Sequence, residues 1–231
     1  NAFSDDAGNF NADGADANNT VTLTVDTIIP VAPTCSTSPN PANDGTAITT
    51  TCTGVETDAV ISIPNMTCSA ESGGSVSCTG TVGTGAGDVS IADDNVTITD
   101  LLGNTDSTAT TGLVIDNDTP TIAISSDTNT LIVGETAALT FTLSDNSVDF
   151  TESDITVSGG SLSGFAGSGA NYTATFTPAT TSTTDGIISV ASNAFSDDAG
   201  NFNADGADAN NTVTLTVDTI IPVAPTCSTS P

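Results

Sequence analysis

Two sets of side chains have types and spacings that could do chemistry: four cysteines and a dense run of carboxylates. Cys35 and Cys52 stand symmetrically about Asn43-Asp44, within the turn-forming run Pro41-Ala42-Asn43-Asp44-Gly45. Cys68 and Cys78 stand symmetrically about Gly73, within Glu71-Ser72-Gly73-Gly74-Ser75. Residues so placed face one another across an antiparallel hairpin, close enough to bridge. The spacing predicts disulfides Cys35–Cys52 and Cys68–Cys78. Metal ligation is the alternative, but the chain has no CxxC pair and no His to support it. Cys227 repeats Cys35 and makes the odd fifth. Disulfides imply an oxidising compartment: the periplasm, the cell surface or the outside of the cell.

The carboxylates gather in 196–208, Ser-Asp-Asp-Ala-Gly-Asn-Phe-Asn-Ala-Asp-Gly-Ala-Asp, with a copy at 4–16. Within it, Asn201-x-Asn203-x-Asp205-Gly206 has the spacing of a DxDxDG calcium loop with two Asn substitutions. Oxygens at alternate positions can wrap a hard cation, and the glycine permits the sharp turn. A shorter relative, Asp100-Leu101-Leu102-Gly103-Asn104, matches Asp197-x-x-Gly200-Asn201. The alternative is a polar loop that solvates itself.

Composition favours the cation. The chain of 231 residues has no Lys, Arg or His against 28 acids, a formal charge of −28. Carboxylates in such a chain have no side-chain cation to pair with, and an outside cation, calcium, is the expected remedy. The same bias excludes partners bound through phosphate, nucleic acid and anionic membrane surfaces among them. It also removes His-based catalysis, Schiff bases and Arg clamps. The remaining acids sit in loops, with a single Tyr and few Phe to line a cleft, so no enzyme is expected. Gly83-x-Gly85-x-Gly87 has no Lys after it and reads as a flexible connection rather than a phosphate loop.

Something must position these groups, and the sequence repeats as it does so. Residues 1–39 recur unchanged as 193–231, an offset of 192. The chain therefore reads as one period plus an overlap, a window on a long array. Each period holds two segments that end in a strand-like run, an Asp and then a Pro: Val25-Asp26-Thr27-Ile28-Ile29-Pro30 and Ile115-Asp116-Asn117-Asp118-Thr119-Pro120. Proline halts strand pairing and stiffens the exit, so these read as linkers. The expected organisation is the last loop and strand of a preceding domain (1–26), a disulfide-bearing domain (27–117), an acidic cysteine-free domain (118–218) and the start of the next repeat (219–231). Period-two alternation predicts strands over Thr46–Thr53, Ala59–Ile63, Asn95–Thr99 and Thr108–Ile115 in the first domain. In the second it predicts Pro120–Ser125, Thr136–Leu143, Ile155–Ser158, Tyr172–Phe176, Ile187–Ala191 and Thr212–Val217. No segment has helical periodicity, and the fold class is all-β, with two sandwiches of about seven strands.

Certain marks occur in a telling order: Ile122-Ala123-Ile124-Ser125, Ile155-Thr156-Val157-Ser158-Gly159-Gly160-Ser161-Leu162, and Tyr172-Thr173-Ala174-Thr175-Phe176-Thr177-Pro178. Asp197-Asp198-Ala199-Gly200-Asn201 and Val217-Asp218-Thr219 before Pro222 complete the set. In this order they resemble the bacterial Ig-like repeats of giant extracellular adhesins, and the first domain is similar to cysteine-bearing Ig-like modules of such arrays. The resemblance implies tandem Ig-like sandwiches joined end to end, acting as calcium-stiffened extenders. In such a sandwich the entry of the first strand shares a pole with two loops. That pole would collect Asp116, Asp118, Asp145, Asp149, Glu152 and Asp154, with Asp197, Asp198, Asn201, Asn203, Asp205 and Asp208 from the last loop. A thinner set, Asp26, Glu56, Asp58, Asp100, Asn104 and Asp106, would serve the first domain. The expected function is the shaft of a secreted or surface-anchored bacterial fibre, with neighbouring repeats as partners. Two alternatives stand beside it: a subunit that polymerises by donor-strand exchange, and a carbohydrate- or surface-binding module.

Overall fold

A computed structural model describes residues 6–9, 21–84, 89–90, 95–109, 112–204 and 209–227. Regular structure among them is strand, apart from two short 3-10 turns at Glu152–Asp154 and Ala209–Asn211. The all-β expectation holds. The first half carries β1 (Thr34–Ser38), β2 (Ala47–Thr53), β3 (Val60–Ser62), β4 (Thr67–Cys68), β5 (Ser75–Thr81), β6 (Asn95–Thr99) and β7 (Thr105–Ala109). They form a four-stranded sheet β1-β2-β5-β4 and a three-stranded sheet β3-β6-β7. The second half carries β8 (Ile122–Ser126), β9 (Thr130–Ile132), β10 (Ala137–Ser147), β11 (Ile155–Ser158), β12 (Gly160–Pro178), β13 (Gly186–Val190) and β14 (Thr212–Asp218). Here the sheets are β12-β10-β8 and β11-β13-β14-β9.

Alternation sorts the side chains as the sequence predicts. In β2, Ile48, Thr50 and Cys52 point inward while Thr49, Thr51 and Thr53 face water. In β10, Ala137, Leu139, Phe141 and Leu143 are buried between Thr-bearing outer positions. The core of the second half draws on both of its sheets and on an aromatic group, Phe141, Phe150, Phe165, Tyr172 and Phe195, whose neighbouring rings meet mostly edge to face. Phe176 is fully buried between Gly160 and Gly186, where an added Cβ would come within 2.5 Å of its ring. The first half has no aromatic residue between 27 and 117. Its interior is Ile, Val, Ala, cysteine and a single leucine, Leu113, in two smaller clusters. A core so poor in large apolar surface needs covalent help, and both disulfides lie there. Cys35 stands opposite Cys52 across β1–β2, and Cys68 opposite Cys78 across β4–β5, as the hairpin symmetry predicts.

Three strand expectations change. The run 108–115 is not one strand. β7 begins earlier, at Thr105, because the tight loop Asp100–Asn104 turns the chain straight back onto β6. Leu113 and Ile115 pack separately, Ile115 through a single parallel bridge to Ala42. The strand expected at 172–176 is part of the 19-residue β12, which doubles back: Gly160 lies against Thr177, and Gly167 against Asn171 and Tyr172. Residues 21–26 form no strand, although they repeat 213–218 of β14. Leu215 and Val217 are buried beside β13 and β9; Leu23 and Val25, with no such neighbours, are 77% exposed.

Candidate functional site at the domain junctions

The two Asp-x-x-Gly-Asn loops fold alike, bond for bond. In 197–201, the Asp197 N–H donates to the Asn201 carbonyl (3.0 Å) and the Gly200 N–H to the Asp197 carbonyl (3.2 Å). Asp197 Oδ1 accepts from the N–H groups of Ala199 and Asn201 (both 2.9 Å), and Oδ2 accepts from Asn201 Nδ2 (2.9 Å). In 100–104, Asp100 Oδ1 accepts from Leu102 (2.9 Å) and Asn104 (2.8 Å), and Oδ2 from Asn104 Nδ2 (2.8 Å). Glycine is required at the fourth position, where φ is +92° at Gly200 and +95° at Gly103. The Asn104 side chain, with the loop N–H groups, holds the Asp100 carboxyl below the usual carboxylate range.

Each loop uses its Asn to grip the chain entering its own domain. Asn201 Nδ2 donates to the Asp116 carbonyl (2.9 Å), and Asn104 Nδ2 to the Asp26 carbonyl (3.3 Å). The linker acids are themselves folded into turns: Oδ1 of Asp26, Asp116 and Asp218 accepts the N–H two residues on. The residues after Asp116 and Asp218 are held by the domain being left. The Asp44 N–H donates to Asn117 Oδ1 (2.8 Å) and Asn117 Nδ2 to Asp44 Oδ1 (3.3 Å). Thr219, buried, donates its hydroxyl to the Ala179 carbonyl (2.8 Å) and accepts the Ser182 N–H (2.8 Å). Asn43 Nδ2 completes the first junction by donating to Asn201 Oδ1 (3.1 Å).

The other expected ligands are placed as follows. Asn203 is fully buried: Oδ1 accepts from Ala194 (2.7 Å) and Phe195 (3.1 Å), and Nδ2 donates to the Ala191 carbonyl (2.9 Å). It organises the last loop from within instead of pointing out of it. Asp149 ties two loops together, accepting from the Ser147 hydroxyl and from both the N–H and the hydroxyl of Ser196. Burial pushes its carboxyl up, but these donors outweigh burial and the pKa is lowered. The Tyr172 phenol is raised, by burial first and then by the charges of Asp149 and Asp198. Asp145 accepts from the Ser144 hydroxyl, and Glu152 stands in the 3-10 turn that Thr151 and Asp154 cap. Asp205 and Asp208 lie outside the described residues.

Among the described residues, no three Asp, Glu, Cys or His side chains converge into a metal-holding group. The residues at the junction do not fit a cation between Asp197 and Asp116, since an amide N–H₂ fills that place and serves both oxygens. Asn43, Asp44, Asn117, Ser196 and Thr219 act here although their types and spacing do not mark them as site residues. The signals that point to them are the turn at 43–44 and the position directly after each linker Asp. Asn201→Ala is expected to leave each domain folded, at about 1 kcal/mol per lost hydrogen bond, while freeing their relative orientation. Residual dipolar couplings measured for both halves would then no longer fit one alignment tensor. A single shared tensor in the variant would remove Asn201 as the clamp.

No curated protein sequence matches the chain. Among solved structures, similar ones include FdeC, an adhesin of Escherichia coli (16% identity, 82% of this chain and 64% of that one, TM-score 0.37). Others are the Yersinia pseudotuberculosis adhesin InvE (11%, 80% and 58%, 0.31) and InvD of the same organism (14%, 86% and 60%, 0.34). The chain spans about three-fifths of the length of each. Among the described residues no helix is long and apolar enough to cross a membrane. A family model of the bacterial Ig-like domain matches residues 116–216, and the chain is similar to that family over this stretch, which holds β8 to β13, most of β14 and the Asn201 clamp.

Proposed function

We propose that the chain is a structural segment of a bacterial fibre or adhesin shaft, at the cell surface or outside the cell, and that its partners are neighbouring repeats. The observation that carries this is the two-sided grip on the linker: Asp116 is held by the domain ahead through Asn201, and Asn117 by the domain behind through Asp44. A tethered pair of independent modules has no use for such a grip, whereas an extender that must hold its direction does. The bacterial Ig-like match and the two disulfides support the setting.

Calcium enters this proposal as a counterion over the acids of the joint, Asp44, Asp116 and Asp118, rather than as a caged ligand. Like charges at a joint repel unless screened. Thermal unfolding in calcium, magnesium and sodium at matched ionic strength tests it. Screening gives gradual stabilisation that all three ions share at equal ionic strength. A caged ion gives a saturable rise specific to calcium, about 2.7 kcal/mol at a hundred times its dissociation constant, and that result would restore the calcium-loop reading. Strand exchange is the second reading, favoured by the exposed residues 21–26 that repeat β14. β14 already fills that place within the chain, so the shaft is preferred.

A further inference from the structure

The two halves meet a pull along the chain differently. In the second, β9, which follows the entering strand β8, and the leaving strand β14 lie side by side and parallel, with Thr130, Leu131 and Ile132 opposite Thr216, Val217 and Asp218, so that tension reaches this contact once β8 has peeled from β10. The Thr216 N–H adds a bond to the Asn129 carbonyl (2.9 Å). Pulling the ends apart slides two parallel neighbours in opposite directions. The hydrogen bonds between them are then loaded together, and none can open before the rest.

In the first half the corresponding contact is much smaller. Among the described residues it is the bridge of Ala42 with Ile115, built from the Ala42 N–H to the Val114 carbonyl (3.0 Å) and the Asp116 N–H to the Ala42 carbonyl (3.1 Å). The core behind it holds no aromatic ring. The disulfides, however, change the load path. Tension that enters through β1 crosses from Cys35 to Cys52 at the end of β2, so residues 36–51 stay slack, and the Ala42 bridge, which lies within them, adds no resistance. Cys68–Cys78 takes 69–77 out of the path in the same way.

We propose that the two domains respond to tension in sequence. The disulfide-bearing domain yields first, over a distance capped by its two bridges, and the cysteine-free domain holds through the β9–β14 shear contact. A shaft built of such pairs gives a little under load without unravelling. The shaft reading supplies the setting for this inference, but the measurement does not depend on it. Force curves report the order and length of unfolding whatever the chain does in the cell, and the shaft reading is tested separately by the alignment and ion experiments above.

The experiment is single-molecule extension of the whole chain at constant force, tethered through its termini, with and without a small thiol reductant. Unfolding of the weaker domain is expected to expose both disulfides. Two further steps then follow only in reductant, as loops spanning 17 and 10 residues are released. At about 3.5 Å per residue these steps are roughly 55 and 30 Å. They should precede the thiol-insensitive unfolding of the second domain. Thiol-dependent steps that appear only after that event would reverse the assigned order and overturn the proposal. Absence of any thiol-dependent step would overturn the capped extension.

Discussion

Reduction of Cys35–Cys52 and Cys68–Cys78 is expected to unfold the first domain and leave the second standing. The two bridges close spans of 17 and 10 residues. Loop-closure entropy puts the stabilisation at about 3 kcal/mol for each span. Together that is about 6 kcal/mol, against the ~5–15 kcal/mol that a whole domain typically possesses. The first domain has little else to draw on: no Phe, Tyr or Trp in 27–117, and an interior of Ile, Val, Ala, one Leu and the cystines themselves. The second buries Phe141, Phe176 and Phe195 completely and has no cysteine. The chain supplies its own reporter, because its one Tyr, Tyr172, lies in the second core. Far-ultraviolet circular dichroism should lose strand signal in reductant while the near-ultraviolet band of Tyr172 stays unchanged. A change in the Tyr172 band, or an unchanged far-ultraviolet spectrum, would contradict this division of stability.

What could be read in the sequence, and what could not, follows from the range of the interactions. β6 and β11 begin and end at their expected residues because a short alternating run is bounded by turn residues on each side. The disulfide pairing was legible for a similar reason, since a hairpin puts residues equidistant from its turn opposite one another. β12 was not legible beyond Tyr172–Phe176. Its first half is Gly- and Ser-rich and reads as loop, and it becomes strand only because Phe165 stacks on Tyr172 (5.5 Å) and glycines let the two limbs approach. The junction lies between these cases. Both Asp-x-x-Gly-Asn motifs were visible, and their matching folds show that the motif carries a local structure. Spacing does not encode whether an Asn turns its carbonyl or its N–H₂ toward the neighbouring Asp, and on that one rotation depends whether the loop offers a cation cage or closes on itself.

Asn203→Asp separates those two outcomes by the sign of its effect. If the loop were a calcium cage, a carboxylate at its second ligand, Asn203, would add charge and tighten binding. In the fold described here the substitution keeps an acceptor for the N–H groups of Ala194 and Phe195, but it replaces the donor that serves the Ala191 carbonyl. Two oxygens then face each other at a site with no solvent exposure. Leaving a buried carbonyl unpaired costs ~1–3 kcal/mol, and burying a carboxylate without a cation adds to it. A loss of about 3 kcal/mol or more is expected, which lowers the melting temperature of a domain of this size by upwards of ~10 °C. The melt is followed through Tyr172, once in calcium and once in chelator. The variant should melt low in both, by similar amounts. Recovery of the wild-type melting temperature in calcium alone would return Asn203 to the ligand set. The low melt in both conditions would explain why Asn stands at 201 and 203, where a calcium loop has Asp. Each position needs a side chain that accepts with one end and donates with the other, to Asp197 and Asp116 from Asn201 and to Ala191 from Asn203.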